Sequence, residues 1–183
     1  MLKVNVSENC THGLKNVELH QIYFGRFITF MIVGLFQSTL IALGDLLYLG
    51  IQCEHPFLFL LGCWFSSLVF VNIIYTLTVS FGDIGKAISV VLLVVQVAGT
   101  GGTFPIEVAP GFFRAVYPLL PFTHSMAAMR EAVGGVYGMN YWMDLGKLGM
   151  FLIVSLVVGL VLRRPIIRMN DGFTEKLEET KLI

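Results

Sequence analysis

Hydrophobic residues fall in long blocks along this chain, with no alternating period, and those blocks set its elements. Phe27–Leu49 and Phe57–Ser80 are nearly unbroken apolar runs, and Ala87–Gly102 and Leu145–Leu162 are two more. A helix crosses a bilayer with about 20 apolar residues, somewhat fewer or more with tilt. The pattern therefore predicts an all-α integral membrane fold with four transmembrane helices, at about 27–49, 57–80, 87–102 and 145–162. Polar turns, Gly50–Pro56 and Phe81–Lys86, separate the first three. Residues 1–26 read as a cytoplasmic, interfacial lead-in, in which Lys15–Phe24 has the mixed polarity of a short amphipathic helix. The membrane domain is 27–162, and the charged residues 163–183 form a cytoplasmic tail.

One stretch does not fit the block pattern. From Gln96 to Gly135 the apolar chain is interrupted by Gly99, Gly101, Gly102 and Pro105, and again by Pro110, Pro118 and Pro121. The pieces between the breaks, Gly111–Tyr117 and Phe122–Val133, are too short to span and too apolar for a water-exposed loop. Broken helices at membrane depth survive only when packed on protein or lining a cavity. Residues 104–133 are therefore expected to form a re-entrant helical hairpin that enters and leaves on one face. Gly101, Gly102 and Pro105 end the third span, Pro118 and Pro121 bracket the turn, and Gly134-Gly135 ends the second piece. The competing reading is one continuous crossing over Gly111–Val133, which would make five spans.

Composition agrees with a bilayer as solvent. Of 183 residues, 56% are hydrophobic and only 13% charged, and the mean hydropathy is +0.79; a soluble domain carries about 25% charge. Net charge is zero, which implies no attraction to nucleic acid. Lysine and arginine set the orientation. With both termini inside, nine of them (Lys3, Lys15, Arg26, Lys86, Arg163, Arg164, Arg168, Lys176, Lys181) are cytoplasmic. Arg114, Arg130 and Lys147 are outside. The hairpin is thus placed on the outer face. Val136–Asp144, with Tyr137, Tyr141 and Trp142, reads as an interfacial stretch before the last span.

Few residues carry candidate chemistry. Gln37, Asn72 and Gln96 each fall near the middle of a span. They serve either as hydrogen-bonding glue between helices or as a polar patch along a substrate path. Gly34/Ser38, Gly62/Ser66 and Ser155/Gly159 are small-residue pairs suited to close helix packing. Asp45 is the one acid inside a span, near its outer end, where it reaches water or a cation. Glu107, Arg114, Arg130 and Glu131 are the charges of the hairpin, expected to pair with one another or to hold it at the interface. The three cysteines, Cys10, Cys53 and Cys63, have no metal-binding spacing. His12, His20, His55 and His124 are scattered, and His124 beside Ser125 is not a catalytic geometry. No Walker-type G-x-x-x-x-G-K-[ST] occurs, so no nucleotide, metal or other cofactor is expected and the chain does not read as an enzyme.

The segments G-G-T-F-P-I-E, P-G-F-F-R-A-V-Y-P-L-L-P-F-T and A-A-M-R-E-A-V-G-G, all within Gly101–Gly135, carry a resemblance. They resemble the C-terminal membrane region of the YhgE/Pip (phage infection protein) family, within the ABC type-2 exporter permeases. The resemblance covers roughly residues 20–165. It implies a permease subunit of the bacterial cell membrane that works as a homodimer with a separate ATP-binding subunit. Lys15, Glu18, Arg26, Asp83 and Lys86 then stand where the ATPase would push, and Gly101, Gly102, Pro105, Glu107, Arg114, Pro118, Pro121, Arg130 and Glu131 where an outer gate would form. Permeases of this class typically have six spans, and family members carry a further N-terminal span and a large extracellular domain, so the resemblance also implies a fragment or a truncated member. The alternative is a membrane anchor or scaffold for a surface domain, a phage-infection or secretion accessory without transport.

Overall fold

The long helices all gather on one stretch, the first part of the second helix. The computed structural model describes residues 19–101 and 110–161. In order, the elements are α1 (Leu19–Leu43) continued by one π turn (Gly44–Tyr48), α2 (Pro56–Gly99), α3 (Gly111–Val116), a 3-10 turn (Tyr117–Leu119), α4 (Pro121–Gly134) and α5 (Asn140–Val161). No strand occurs among the described residues. Among those residues three segments are long and apolar enough to cross a membrane: Gly25–Tyr48, Pro56–Gly82 and Asn140–Leu160. Ile84–Gly99 is apolar but shorter.

The expected six-residue loop at Phe81–Lys86 is absent. The chain leaves helical geometry only at Gly82, with φ 58 and ψ −127, a region open to glycine. It then turns back on itself. A Cβ on Gly85 would fall on the carbonyl group of Leu77, whereas residues eight apart in a straight helix are about 12 Å apart. Two glycines three residues apart thus replace a loop, and α2 becomes two limbs, Pro56–Gly82 and Ile84–Gly99.

The first limb is central because its small and polar residues face several ways, and in lipid helices associate through close packing and hydrogen bonds. α1 runs antiparallel to it. Phe27 and Phe30 stack on Tyr75 at 5.6 and 5.7 Å, Gly34 lies against Val71 and Ser67, and Trp64 Nε1 donates to Thr39 Oγ1 at 2.8 Å. α5 runs parallel to the limb. Tyr141 donates its hydroxyl to the Leu58 carbonyl at 2.8 Å, Gly149 meets Phe65, and Asn72 Nδ2 donates to the Leu152 carbonyl at 3.1 Å. α4 runs antiparallel, with Ser125 bonded to Ser66 and Phe122 edge-on to Phe70 at 5.8 Å.

Several boundaries differ from those expected. α5 begins at Asn140, five residues before the predicted span, and Tyr141 in its first turn is fully buried and hydrogen-bonded to α2. Tyr137 and Trp142 remain exposed. α1 already runs from Leu19, so Leu19–Phe24 continues straight into the first span and is no separate interfacial helix; Lys15 and Glu18 lie outside the described residues. The second limb ends at Gly99, short of the expected Gly102. Cys53 and Cys63 are free thiols. Tyr141→Phe is expected to lower the thermal stability of the detergent-solubilised protein by about 1 kcal/mol, the worth of one hydrogen bond, as read from its unfolding midpoint.

Candidate functional site

The site is built where α4 meets α2 and α5. Leu120 precedes Pro121 and is extended, with φ −91 and ψ 120, the conformation that a following proline ring favours; Tyr117, before Pro118, stays helical. Leu120 breaks the path from α3 to α4, and no continuous helix crosses Gly111–Val133. α4 is 14 residues long, about 21 Å at the helical rise. It starts beside Phe70 and ends beside the Pro56 end of α2, where His55 and Glu54 donate backbone amides to the carbonyls of Ala132 and Val133 at 3.1 and 3.3 Å. The Cys53 thiol shares the Ala132 carbonyl at 3.2 Å. The segment between α1 and α2 thereby satisfies the carbonyls that the end of α4 leaves open.

The first turn of α4 carries three consecutive buried polar residues, Thr123, His124 and Ser125. Ser125 bonds across to Ser66 of α2. His124 faces α5, with Nδ1 3.0 Å from Asp144 Oδ1 and Nε2 3.2 Å from the Pro118 carbonyl. The same Asp144 oxygen accepts from Lys147 Nζ at 3.1 Å. The ring also lies 6.2 Å from that of Phe151. Asp144 and Lys147 were not among the residues singled out from the sequence. His124 was considered there only beside Ser125, which in fact turns to a different helix.

The other candidates divide. Asn72 and Gln96 are buried, at 0% and 2% exposure, while Gln37 is exposed on the outside of α1 among Val33, Phe36 and Leu40. Asp45 is half-buried in the π turn, its carbonyl accepting from Ile51 at 3.2 Å. Arg130 donates to the carbonyl of Gly101 at 2.9 Å, tying α4 to the chain beyond the second limb. Glu131 lies half-buried and makes no pair with either arginine of the hairpin: its Oε2 has no hydrogen-bond partner among the described residues. Arg114 is exposed on α3, and Pro118 and Pro121 flank the break. Gly102, Pro105 and Glu107 lie outside the described residues, as does the side chain of Asp83; the backbone of Asp83, with Lys86, follows the Gly82 turn. Arg26 opens the first span.

Buried polar atoms without partners recur here. Asn72 Oδ1, Ser80 Oγ, Gln96 Oε1 and Thr123 Oγ1 make no hydrogen bond among the described residues. A folded protein leaves few such groups, and lipid offers them no partner. No group of three or more histidine, cysteine or acidic residues suited to a metal ion occurs among the described residues.

Long apolar helices around a central two-limbed one, with a half-length helix carrying buried polar groups, define a multi-pass membrane protein with a helical membrane domain. The profile described as ABC-2 family transporter protein matches residues 11–161. The chain belongs to that family, whose membrane domains are permeases of a non-enzymatic kind. It is 33% identical over 133 residues to "Uncharacterized protein YhgE" of Bacillus subtilis (strain 168), a match that covers 72% of this chain and 17% of the relative. The resemblance to the YhgE/Pip group of ABC-2 permeases is thereby shown; the chain spans less than a fifth of that relative's length. No solved structure matches.

Proposed function

We propose that this chain is a permease subunit, or the membrane part of one, that exports a substrate across the bacterial cell membrane when a separate ATP-binding subunit drives it. The supporting observation is the placement of α4. Its first turn lies at the middle of the first limb of α2, and its last turn lies at that limb's Pro56 end. In a bilayer this makes α3 and α4 a re-entrant hairpin. The second limb has 16 residues, about 24 Å of helix, against a hydrocarbon core of about 30 Å. It rises from the Gly82 turn and meets the hairpin where Gly99 abuts Leu120 and Phe113. The second limb and the hairpin together bring the chain back to the Pro56 end, so that α5 makes a fourth crossing. Both termini are then cytoplasmic, as the lysine and arginine distribution favours.

In this reading the Gly82 turn lies at the inner face, with Asp83 and Lys86, and receives the push of the ATPase. Lys15, Glu18 and Arg26 contribute from the start of α1. The push tilts the two limbs, the hairpin moves with Gly99, and the outer exit around Gly101, Gly102, Pro105, Glu107, Arg114, Pro118, Pro121, Arg130 and Glu131 opens. The unpartnered polar atoms of Ser80, Gln96 and Thr123 supply hydrogen bonds to water or substrate along the way. Two copies of the permease form the conduit.

A photo-crosslinking side chain in place of Ile84, which is exposed beside the turn, tests this. In native membranes it is expected to capture a protein that carries G-x-x-x-x-G-K-[ST] and hydrolyses ATP. Adducts to lipid alone, in membranes that hold the folded chain, would overturn the coupling and leave the anchor reading.

A further inference from the structure

We infer that His124 and Asp144 form a one-proton latch that clips the turn at Pro118 to α4 and α5. It concerns the regulation of the same hairpin, and it rests on the permease reading only for its consequence to transport. Both acceptors are fixed in kind. A proline carbonyl accepts and never donates, so Nε2 must carry a proton to bond Pro118. Nδ1 lies 3.0 Å from Asp144 Oδ1. With the neutral ring protonated only at Nε2, a bare lone pair would face a carboxylate oxygen. The observed geometry therefore holds one proton more than a neutral imidazole and a carboxylate hold separately. It belongs to the pair, as imidazolium with carboxylate or as imidazole with carboxylic acid.

Pro118 needs the bond. In a 3-10 turn its carbonyl would accept from the amide of Pro121, and proline has none. His124 Nε2 supplies the missing donor. Losing the shared proton costs one of the two bonds. The ring keeps a proton on Nδ1 for the carboxylate, as a charged acceptor makes the stronger bond, and Nε2 turns a lone pair toward Pro118. The turn between the 3-10 segment and α4 is then released, and with it the junction at which Leu120 meets Gly99.

Among the described residues, the surroundings isolate the pair. From α5 only Asp144 and, through it, Lys147 face the ring. The first limb of α2 carries no acidic, basic or histidine residue between Pro56 and Phe81, and offers Ser66 and Phe70 to this part of α4. The preceding elements bring Tyr117 and, farther off, the exposed Arg114. Glu54 and His55 pack at the opposite end of α4, near Ala132 and Val133. On α4 itself Arg130 and Glu131 lie more than a turn beyond.

The test uses the full chain in lipid bilayers, labelled with ¹⁵N-histidine and, separately, with spin labels at Leu119 and Met143, both exposed. His124 is assigned by the signal that H124Q removes. In acidic samples both of its ring nitrogens are expected to carry protons, and over a range of rising pH Nε2 is expected to lose its own. The label separation should lengthen and broaden over the same range. Asp144→Asn should abolish that change and keep the turn clipped, because an amide donates to a bare Nδ1 while Nε2–H stays on Pro118. A label separation that does not move as His124 loses its proton would overturn the latch, as would a ring that never changes or a D144N protein that opens like the parent. Neither readout requires transport. A latch without a captured ATPase would count against the permease reading alone, and a captured ATPase with a pH-independent turn against the latch alone.

Discussion

Gly85→Val is expected to reduce the yield of monodisperse, detergent-extracted protein by about tenfold to a hundredfold, the range of an overpacked core. The clash is with backbone. A Cβ at this position would lie 2.7 Å from the carbonyl carbon of Leu77 and 3.1 Å from Phe81 Cβ. Neither can swing aside as the end of a flexible side chain would. The turn has no slack to absorb the displacement, because a single residue, Gly82, makes the whole reversal with φ 58 and ψ −127. Gly82→Ala should itself cost about 1–3 kcal/mol through backbone strain. The two sites share the turn, so their costs need not add. Gly146→Ala is the control. It lies in α5 with open space where the new methyl would go, and alanine favours the helix. The measurement is size-exclusion chromatography of the three variants beside the parent. A Gly85→Val protein that elutes and melts like Gly146→Ala would show that the limbs do not turn back tightly at Gly82.

How far the sequence revealed this arrangement depends on the length scale of the signal. The apolar blocks predicted helices of membrane length because each block is a local property of about 20 residues. The break at Pro121 was legible for the same reason: a proline acts on its own residue and biases the one before it, as Leu120 shows. The Gly82 turn was read as a loop of six residues. Its signal is the spacing of Gly82 and Gly85, which matters only once the second limb rests on Leu77. Gln37 and Asn72 do lie near the middle of Gly25–Tyr48 and Pro56–Gly82, but Gln96, expected near mid-span, lies three residues from the Gly99 end of its limb. Azimuth was not legible. These helices are apolar all round, so nothing in the pattern separates the face of α1 that bears Gln37 from the face of α2 that buries Asn72. The His124–Asp144 pair was missed because its members lie 20 residues apart on different helices. Each is a charged or polar residue in an apolar setting, and that was the usable sign.

Asn72→Asp is expected to destabilise the fold severely, while Asn72→Leu is nearly neutral. The asymmetry follows from how the side chain is used. Asn72 is fully buried between α2 and α5. Its Nδ2 donates to the carbonyl of Leu152, and its Oδ1 has no partner among the described residues. Leucine gives up one interhelical hydrogen bond, worth about 0.6–2 kcal/mol in a membrane. It also removes the stranded oxygen, which offsets much of that loss. Aspartate is similar in size but has no donor. An oxygen then faces the Leu152 carbonyl, acceptor against acceptor, and the charge enters the middle of a span at about 2.5–3.5 kcal/mol by insertion scales. Protonation restores a donor and relieves part of the cost, so the deficit should shrink as pH falls. The folded fraction of Asn72→Asp at neutral pH should therefore be lower by about a hundredfold, with Asn72→Leu within about threefold of the parent. Thermal unfolding of the three proteins in one detergent, at neutral and acidic pH, checks this. Equal midpoints for Asn72→Asp and the parent would mean that water already reaches position 72 in the resting protein. The stranded oxygen would then mark an open hydrated path, not a dry seam between α2 and α5.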